Sequence, residues 1–419
     1  MTQYTQKVNE TTLKMPVALL QVGMFVCRLD RPWLGTPFLM QGFLIDNRET
    51  LQSVRALCSH VFVDPNKSLI QLRSPRERRR SRRETPEPPT LSPTVDRDMA
   101  RLGLREVLPT YTRTLKGVKQ ALREVGRGHP LNPERLAGQV DECINALIDN
   151  IPAMTWLSRV KSHDDYTYEH AMHVSLLCMV FGIHCGWPRH EVRQAGLAGL
   201  LFDLGKLRIP KALLGKPTPL AETEWQLFRE HPKWTRYLLE KSGFEQDVVM
   251  ACYYHHERPD GRGYPVRKLG TQVPLAARLI HILDAFDAMI SYRPYAQQRT
   301  VYEAIRVLYH GRNSQFDAAL VDQFIELMGV YPMGTLVELS SGEVAVVIGQ
   351  NHDARLLPKV AIIRDRNKNP VAEHVVNLKQ LRDAEGKARF RVKSMLLDGS
   401  YGVYMQEYTR HLVLDASPA

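Results

Sequence analysis

The sequence predicts a multi-domain protein in which an all-α core follows a small β-rich or α+β domain and precedes a small β segment. Three observations lead to this fold class. The chain has 419 residues, which is enough for two to four domains. Apolar residues recur at intervals of three and four from residue 98 to about residue 328, as in amphipathic helices. Alternating apolar runs, bounded by turn residues, lie on either side of that stretch.

The N-terminal region is predicted to be a small domain followed by a linker. Residues 1–72 alternate strand-like runs with turn residues, and these runs are MPVALLQVGMFVCRLD, LIDNRETLQSV and HVFVDPNKSLIQL. Residues 73–97 are rich in arginine and then in proline, too polar to pack against a core. Seven arginines and two glutamates in residues 73–84 supply +5 of the net charge of +11. No aromatic residues alternate with these arginines, so we expect a solvated linker and no nucleic-acid binding, with an anion-binding tether as the alternative.

The helical domain is predicted to span residues 98–330, with a helical lead-in over residues 98–150. Pro109 is expected to start or kink the first helix. Asn132 followed by Pro133 is typical of a helix N-terminus, where asparagine caps and proline occupies the first turn.

Strands are predicted again in the C-terminal region, residues 331–419. The runs GTLVELSSGEVAVVIGQN, KVAIIRDRN and FRVKSMLLD alternate apolar and polar residues. The segment SSGE separates two of these runs and predicts a hairpin turn.

Composition narrows the compartment and excludes some classes of protein. Hydrophobic residues make up 44% of the chain and charged residues 24%, as in ordinary soluble proteins. No apolar run reaches the length of a membrane span, and the N-terminus lacks a signal-peptide core. The six cysteines are scattered without a CxxC pair, which argues against disulfides or a thiolate zinc site. We therefore expect a protein of a reducing compartment, without a membrane span.

Asp203 lies in LLFDLGKLRIP, at the end of an apolar predicted helix, so its carboxylate is expected to be buried. Burying an unpaired carboxylate is costly, so this group needs a cation or several hydrogen-bond donors. Lys206 is one turn away. Two interpretations stay open at this point: an internal ion pair between Asp203 and Lys206, or a metal-bridging carboxylate with Lys206 held for an anionic substrate.

Histidines are concentrated in the helical region, where nine of the fifteen lie between His163 and His281. His255 and His256 are adjacent at the end of a predicted helix and precede Glu257 and the turn DGRGYP. Two neighbouring imidazoles gain little from packing together, but they can converge on one cation.

These motifs resemble, in their order along the chain, those of the HD-GYP family over about residues 150–330. The matching stretches are YEHAMHV, LLFDLGKLRIP, LLGKP, EHP, HHERPDGRGYP and LDAFDAMISYRPY. The stretch GMFVCRLDRPWLGTPFLMQGF is similar to the domain of unknown function that often precedes HD-GYP domains, and YPMGTLVELSSGEVAVV to the β tail that often follows them. The resemblance implies an HD-type helical core and a cytoplasmic, metal-dependent phosphodiesterase that acts on the bacterial messenger cyclic di-GMP.

The resemblance also implies the residues of the site. The implied ligands of one or two divalent cations, such as iron or manganese, are His170, Asp203, His231, His255, His256 and Asp284. The implied contacts with substrate are Lys206, Arg293, Gly261, Gly263 and Tyr264, with Asp203 and Lys206 as the catalytic residues. Implied partners are cyclic di-GMP, GGDEF-type signalling proteins and a second copy of the chain as a homodimer. The product, a linear dinucleotide or GMP, stays open.

Two positions depart from the family pattern. Phe202 stands where the family has the histidine of its HD pair, and phenylalanine has no lone pair to give a metal. One of two metal sites would therefore lose a ligand, while the other stays complete. The residues weighed as replacements lie one turn from implied ligands, and each is expected to pack or face solvent instead: His173, His281 and Tyr166. The second departure is Ala296, where the family often has a basic residue.

Two functions fit these departures. One is a cyclic di-GMP phosphodiesterase, impaired or with one tight and one labile metal. The other is a non-catalytic cyclic di-GMP sensor or an adaptor that docks other proteins through the GYP loop. The enzyme is favoured, since a chain freed from catalysis has no evident reason to keep buried polar ligands beyond one metal kept for folding.

Overall fold

The structure, a computed structural model, describes residues 12–31, 43–45, 48–64, 68, 98–157, 166–214, 216, 218, 220–291, 298–351, 353–382 and 388–414. The chain divides into two compact units. The first comprises Met1–Pro93 and Leu378–Arg391, and the second comprises Thr94–Asn377 and Val392–Ala419. Among the described helices, none has both the length and the apolar character needed to cross a bilayer.

The first unit contains a four-stranded antiparallel sheet and one α-helix. The strands are β1 (Leu13–Pro16), β2 (Phe25–Leu29), β3 (Phe43–Leu44) and β4 (His60–Val63), in the order β1-β4-β2-β3. A short 3-10 helix (Val17–Leu19) and α1 (Arg48–Leu57) complete it. Its fully buried core consists of Val26, Ile45, Val54, Val61 and Val63. The prediction that LIDNRETLQSV is strand-like is therefore wrong for most of that run, which lies in α1 with Leu51 and Val54 packed on the core.

The second unit is mainly helical. Its helices are α2 (Asp98–Gly126), α3 (Pro133–Asp149), α4 (Ile151–Leu157), α5 (Tyr166–His184), α6 (Arg189–Leu201), α7 (Lys211–Leu214), α8 (Glu222–Phe228), α9 (His231–Lys241), α10 (Gln246–Tyr254), α11 (Leu275–Ile290), α12 (Val301–His310) and α13 (Ala318–Met328). Short 3-10 helices span Leu204–Arg208 and Gly270–Gln272. Helix α5 is the centre of this unit: it is buried on all sides from residue 169 to residue 182 and packs against α6 and α11.

The predicted helix ends are partly confirmed. The Asn132 side chain accepts a hydrogen bond from the Arg135 backbone, and Pro133 is the first residue of α3, as predicted. Pro109 instead lies inside α2, so a helix start there is wrong. The buried face of α2 runs past the proline from Leu104 to Tyr111, and its packing holds the helix together on both sides.

The C-terminal strands form a five-stranded antiparallel sheet. They are β5 (Leu336–Leu339), β6 (Val344–Gly349), β7 (Lys359–Arg364), β8 (Pro370–Asn377) and β9 (Val392–Met395), in the order β8-β7-β6-β5-β9. The SSGE segment joins β5 to β6 as the predicted hairpin turn. A 3-10 helix (Ser400–Gly402) and α14 (Met405–Leu414) follow. The predicted fold class is confirmed, although β8 and α14 were not among the predicted elements.

The turn after α6 is fixed against the start of α9. The Gly205 amide donates to Thr235 Oγ1 at 2.8 Å, and that hydroxyl donates to the Phe202 carbonyl at 3.1 Å. A Cβ atom on Gly205 would lie 2.0 Å from the His231 carbonyl oxygen. Only glycine allows this backbone approach, which sets Asp203 beside the first turn of α9.

We predict that Gly205→Ala destabilises the protein by at least about 1–3 kcal/mol, because the new methyl group meets backbone that cannot move aside. Gly138→Ala is the matched control: Gly138 lies in α3, and a methyl group added there would have no neighbouring atom within 4 Å. This change should stabilise by about 0.5–1 kcal/mol. Urea unfolding measures both free energies, and equal stability of the two variants would contradict the packing described.

Candidate metal centre

Four side chains from three segments converge beside the ends of α6, α9 and α10. Asp203 follows α6, His231 is the first residue of α9, and His255 and His256 follow α10. One ligand atom from each of the four lies within 4.8 Å of the others. His231 and His255 are fully buried, so an apolar shell of helices surrounds the group. We call these four residues the His–Asp cluster.

The orientation of two imidazoles is fixed by the backbone. Nδ1 of His231 donates to the Phe228 carbonyl at 2.8 Å, and Nδ1 of His255 donates to the Cys252 carbonyl at 2.7 Å. Each Nδ1 therefore holds the proton of a neutral ring, and each Nε2 presents a bare lone pair. The two Nε2 atoms are 3.4 Å apart. They lie 3.3 Å and 3.9 Å from Asp203 Oδ1, respectively.

This arrangement fits a bound cation. Two facing lone pairs repel each other unless a positive ion lies between them, and ligands about 2.1 Å from a tetrahedral ion are about 3.4 Å apart. Asp203 Oδ1 and His256 Nε2 are buried and, among the described residues, have no hydrogen-bond partner. Buried polar atoms without partners are rare and costly, and a cation would satisfy all of these atoms together.

Burial keeps the imidazoles of the cluster neutral. It lowers the pKa of His231 to about 3 and also lowers the pKa of His255. The pKa of His256 is held well below its usual value, by burial and then by the neighbouring histidines His255 and His231. Burial by itself would raise the pKa of Asp203, but nearby positive charge, chiefly the Lys206 ammonium, outweighs it and holds that pKa below its usual value. At neutral pH the cluster therefore offers three neutral imidazoles and one carboxylate.

Lys206 forms an ion pair with Asp203, so the structure contains the internal pair that was one of the two interpretations of this motif. The ammonium group contacts Oδ2 of the carboxylate. Oδ1, on the other side, faces the histidines. The pair therefore leaves one carboxylate oxygen available to a cation, and the two interpretations of this motif do not exclude each other.

The structure places His170 and Asp284 against each other, beside the His–Asp cluster. Nε2 of His170 lies 3.0 Å from Asp284 Oδ1, and Nδ1 lies 2.7 Å from Asp287 Oδ2. Burial lowers the pKa of His170, but its hydrogen bonds with Asp284 and Asp287 outweigh burial and raise it overall. Both nitrogens of His170 therefore face a carboxylate in the structure.

Phe202 separates this pair from the cluster. Its ring is fully buried and contacts the His170 ring at 5.7 Å and the His255 ring at 5.0 Å, both edge to face. An apolar ring thus stands between the two groups of polar side chains, at the position where an imidazole would connect them. The residues present fit one cation at the cluster better than a second ion at His170.

The three residues weighed as replacement ligands, His173, His281 and Tyr166, differ in their surroundings. His173 Nε2 forms a hydrogen bond with the Tyr111 hydroxyl at 3.1 Å, and its Nδ1 lies 3.6 Å from Asp287 Oδ1, so the side chain is packed between α2 and α11. His281 is buried, and neither of its nitrogens has a hydrogen-bond partner among the described residues. Its ring centre lies 6.2 Å from that of His256. The side chain of Tyr166, together with Arg293 and Ala296, lies outside the described residues.

The GYP loop, which contains Gly261, Gly263 and Tyr264, lies against one side of the His–Asp cluster. The Tyr264 ring stacks on the His256 ring at 4.5 Å, and the Tyr264 amide donates to the His256 carbonyl at 3.2 Å. A Cβ atom on Gly263 would lie 2.5 Å from that same carbonyl oxygen, and Gly261 has φ +72°. Both glycines are therefore required by the path of the backbone.

Two residues that organise the site were not assigned roles from the sequence. The Glu257 carboxylate accepts from three consecutive backbone amides at 2.7, 2.9 and 3.0 Å, those of Val266, Arg267 and Lys268. Asp287 holds His170 and His173 on α5. Glu257 had a signal, its place inside the histidine and glycine motif. Asp287 also has a local partner, since the Ser291 hydroxyl donates to its Oδ2 at 3.3 Å, but its contact with His170 joins residues 117 positions apart, which no local pattern indicates.

A helical core that gathers histidines and an aspartate at helix ends defines an HD-domain protein. The family model "HD domain" matches residues 143–320, and the model "Domain of unknown function (DUF3391)" matches residues 12–136. The chain is 34% identical over 370 residues to the cyclic di-GMP phosphodiesterase PA4108 of Pseudomonas aeruginosa, covering 87% of this chain and 88% of that protein. The chain belongs to the HD-GYP family, as the sequence motifs predicted.

Two further relatives match the helical core. The cyclic di-GMP phosphodiesterase response regulator RpfG of Xanthomonas campestris is 39% identical over 142 residues, 33% of this chain and 38% of that protein. The 3'3'-cGAMP-specific phosphodiesterase 1 of Vibrio cholerae is 34% identical over 161 residues, 38% of this chain and 37% of that protein. The names of these two relatives give two different substrates, cyclic di-GMP for the first and 3'3'-cGAMP for the second.

We predict that cation binding changes little between pH 7 and pH 5. The lowered pKa values of His231, His255 and His256 mean that protons do not compete for Nε2 in this range, and Asp203 stays ionised. Three histidines with ordinary pKa values would lose affinity by about four powers of ten over the same interval. Calorimetric titration with Mn²⁺ at both pH values measures the change. A loss beyond about 1000-fold would show that the imidazoles titrate normally.

Proposed function

We propose that the chain is a metal-dependent phosphodiesterase that hydrolyses cyclic di-GMP with one divalent cation held by the His–Asp cluster. The observation that supports this proposal most directly is the pair of unprotonated Nε2 atoms of His231 and His255, 3.4 Å apart beside Asp203. The substrate is proposed from the names of the similar proteins. A cluster built only for packing would not leave buried lone pairs facing each other.

Each residue of the site has a proposed role. The bound cation would supply Lewis acidity, which polarises the phosphodiester and activates water at neutral pH. Lys206 places a positive charge beside Asp203, where it can hold an anionic phosphate oxygen. Tyr264, with Gly261 and Gly263 shaping its loop, shields one face of His256 from water. Arg293 is proposed as a second phosphate contact from the family pattern alone.

One cation per chain is proposed, because His170 is engaged by Asp284 and Asp287 and Phe202 supplies no ligand. Histidine with carboxylate suits iron, manganese or a zinc-like ion. The implied ligand roles of His170 and Asp284 stay predictions for a second, weaker site.

The wider context is also a proposal. We propose a regulatory domain over residues 1–72, a linker over 73–97, the HD-GYP domain over 98–330 and a β-rich tail over 331–419. Action in bacterial second-messenger signalling in the cytoplasm, docking of GGDEF-type proteins and a homodimer follow from the family resemblance and stay predictions.

Purified protein loaded with manganese or iron should convert cyclic di-GMP into linear dinucleotide or GMP, as followed by chromatography. The matched variant His255→Ala should lose cation affinity by more than about 100-fold, since even residues around metal ligands contribute about 10–100-fold. Turnover should fall with the bound cation. Tight binding of cyclic di-GMP by the loaded protein without any turnover would favour a non-catalytic sensor instead.

We predict that Phe202→His raises the cation count from one to two per chain and increases turnover. The new imidazole would replace a ring that contacts both His170 and His255. Its free nitrogen would add a metal ligand beside His170, and binding of a cation there would compete with the hydrogen bond between His170 and Asp284. Phe202→Leu is the control, since it changes the ring without adding a ligand. Elemental analysis counts the bound ions per chain. A count of one ion in Phe202→His would show that Phe202 is not the reason for a missing second cation.

A further inference from the structure

A row of aromatic rings leads from the His–Asp cluster to the protein surface. The Phe228 ring lies 5.5 Å from the His231 ring, and the Trp225 ring lies 5.6 Å from the Phe228 ring, both edge to face. Phe228 is half-buried, whereas Trp225 is 40% exposed. Helix α8 therefore presents an indole to solvent two ring contacts away from a proposed cation ligand. We call Phe228 and Trp225 the α8 aromatic row.

Positive charges accompany this row. The Lys206 ammonium lies 5.4 Å from the centre of the Phe228 ring, and the Arg229 guanidinium lies 5.7 Å from the centre of the Trp225 ring. Lys206 also contacts Asp203 in the cluster. An anionic group could therefore bind at Lys206 while an aromatic group of the same ligand stacks on Trp225, with only the Phe228 ring between the two positions.

The element that carries Trp225 is held in place by a charge pair. Lys216 Nζ contacts both oxygens of Glu224, at 2.7 and 2.6 Å. One of those oxygens also accepts from the Ala221 amide at 2.7 Å, immediately before α8. The ion pair and the capping interaction therefore link the start of α8 to Lys216.

We propose that Trp225 is a stacking platform for one purine base of the cyclic dinucleotide whose phosphate lies at Lys206. This inference rests on the proposed function. A nucleotide carries its base one sugar away from its phosphate, so a base can reach the surface end of the α8 aromatic row while the phosphate stays at the cluster. Flat purines stack on indole rings and gain from nearby guanidinium groups. A protein partner is the less favoured occupant, because it would not need the connection to Lys206.

Binding of a hydrolysis-resistant phosphorothioate analogue of cyclic di-GMP to the manganese-loaded full chain tests this platform. Calorimetry should show about 5- to 150-fold weaker binding by Trp225→Ala, which is the contribution of one stacked base. Trp225→Phe keeps a ring and should lose less than about fivefold. Trp234→Ala is the matched control: this tryptophan is 42% exposed, its ring contacts Tyr237, and its removal should leave the affinity unchanged.

The outcomes separate the platform from the proposed function. Wild-type affinity in Trp225→Ala, or equal weakening in Trp234→Ala, would overturn the platform. Wild-type protein that binds the analogue through Trp225 but does not hydrolyse cyclic di-GMP would overturn the proposed hydrolysis and support the platform. Absence of analogue binding by the wild-type protein would overturn both.

Discussion

Two hydrogen bonds to backbone carbonyls determine what this site can bind. They place the protons of His231 and His255 on Nδ1, so both Nε2 lone pairs face the same point beside Asp203. The carbonyl acceptors belong to Phe228, just before α9, and to Cys252 in α10. The ends of two helices thus decide the protonation of the ligands, and the buried setting prevents water from competing for them.

Phe202 makes the two halves of the site unequal. On one side, three neutral imidazoles and a carboxylate oxygen present lone pairs. On the other, His170 is held between Asp284 and Asp287, where it acts as a donor. Without a metal ligand at position 202, a carboxylate pair is the arrangement that satisfies a buried histidine. The cluster histidines thus face one another and a carboxylate oxygen, whereas His170 faces two carboxylates.

Much of this site could be predicted from the sequence because its ligands lie in short, specific motifs. The expected burial of the Asp203 carboxylate and the adjacent histidines His255 and His256 came from local patterns, and the structure brings them together with His231. The family motifs grouped them before any fold was known. Local patterns are weaker where a pairing joins distant segments: the contact between Asp287 and α5 depends on tertiary packing.

The fold, like the site, could be predicted only in part from the sequence. Periodicity identified the helical core, and alternation identified most strands. Strand β8 and helix α14 were missed, because β8 has a polar, exposed first half and α14 is a short terminal helix after a run of strands. The Glu257 interaction with three amides was equally hidden, since it depends on how the GYP loop turns back after its glycines.

Anomalous diffraction from crystals of the manganese-loaded protein would test the central claim most directly. The convergence of the Nε2 atoms predicts one peak within about 2.3 Å of His231 Nε2, His255 Nε2 and Asp203 Oδ1. Loaded crystals with the peak between His170 and Asp284, or with no peak beside the His–Asp cluster, would contradict the account.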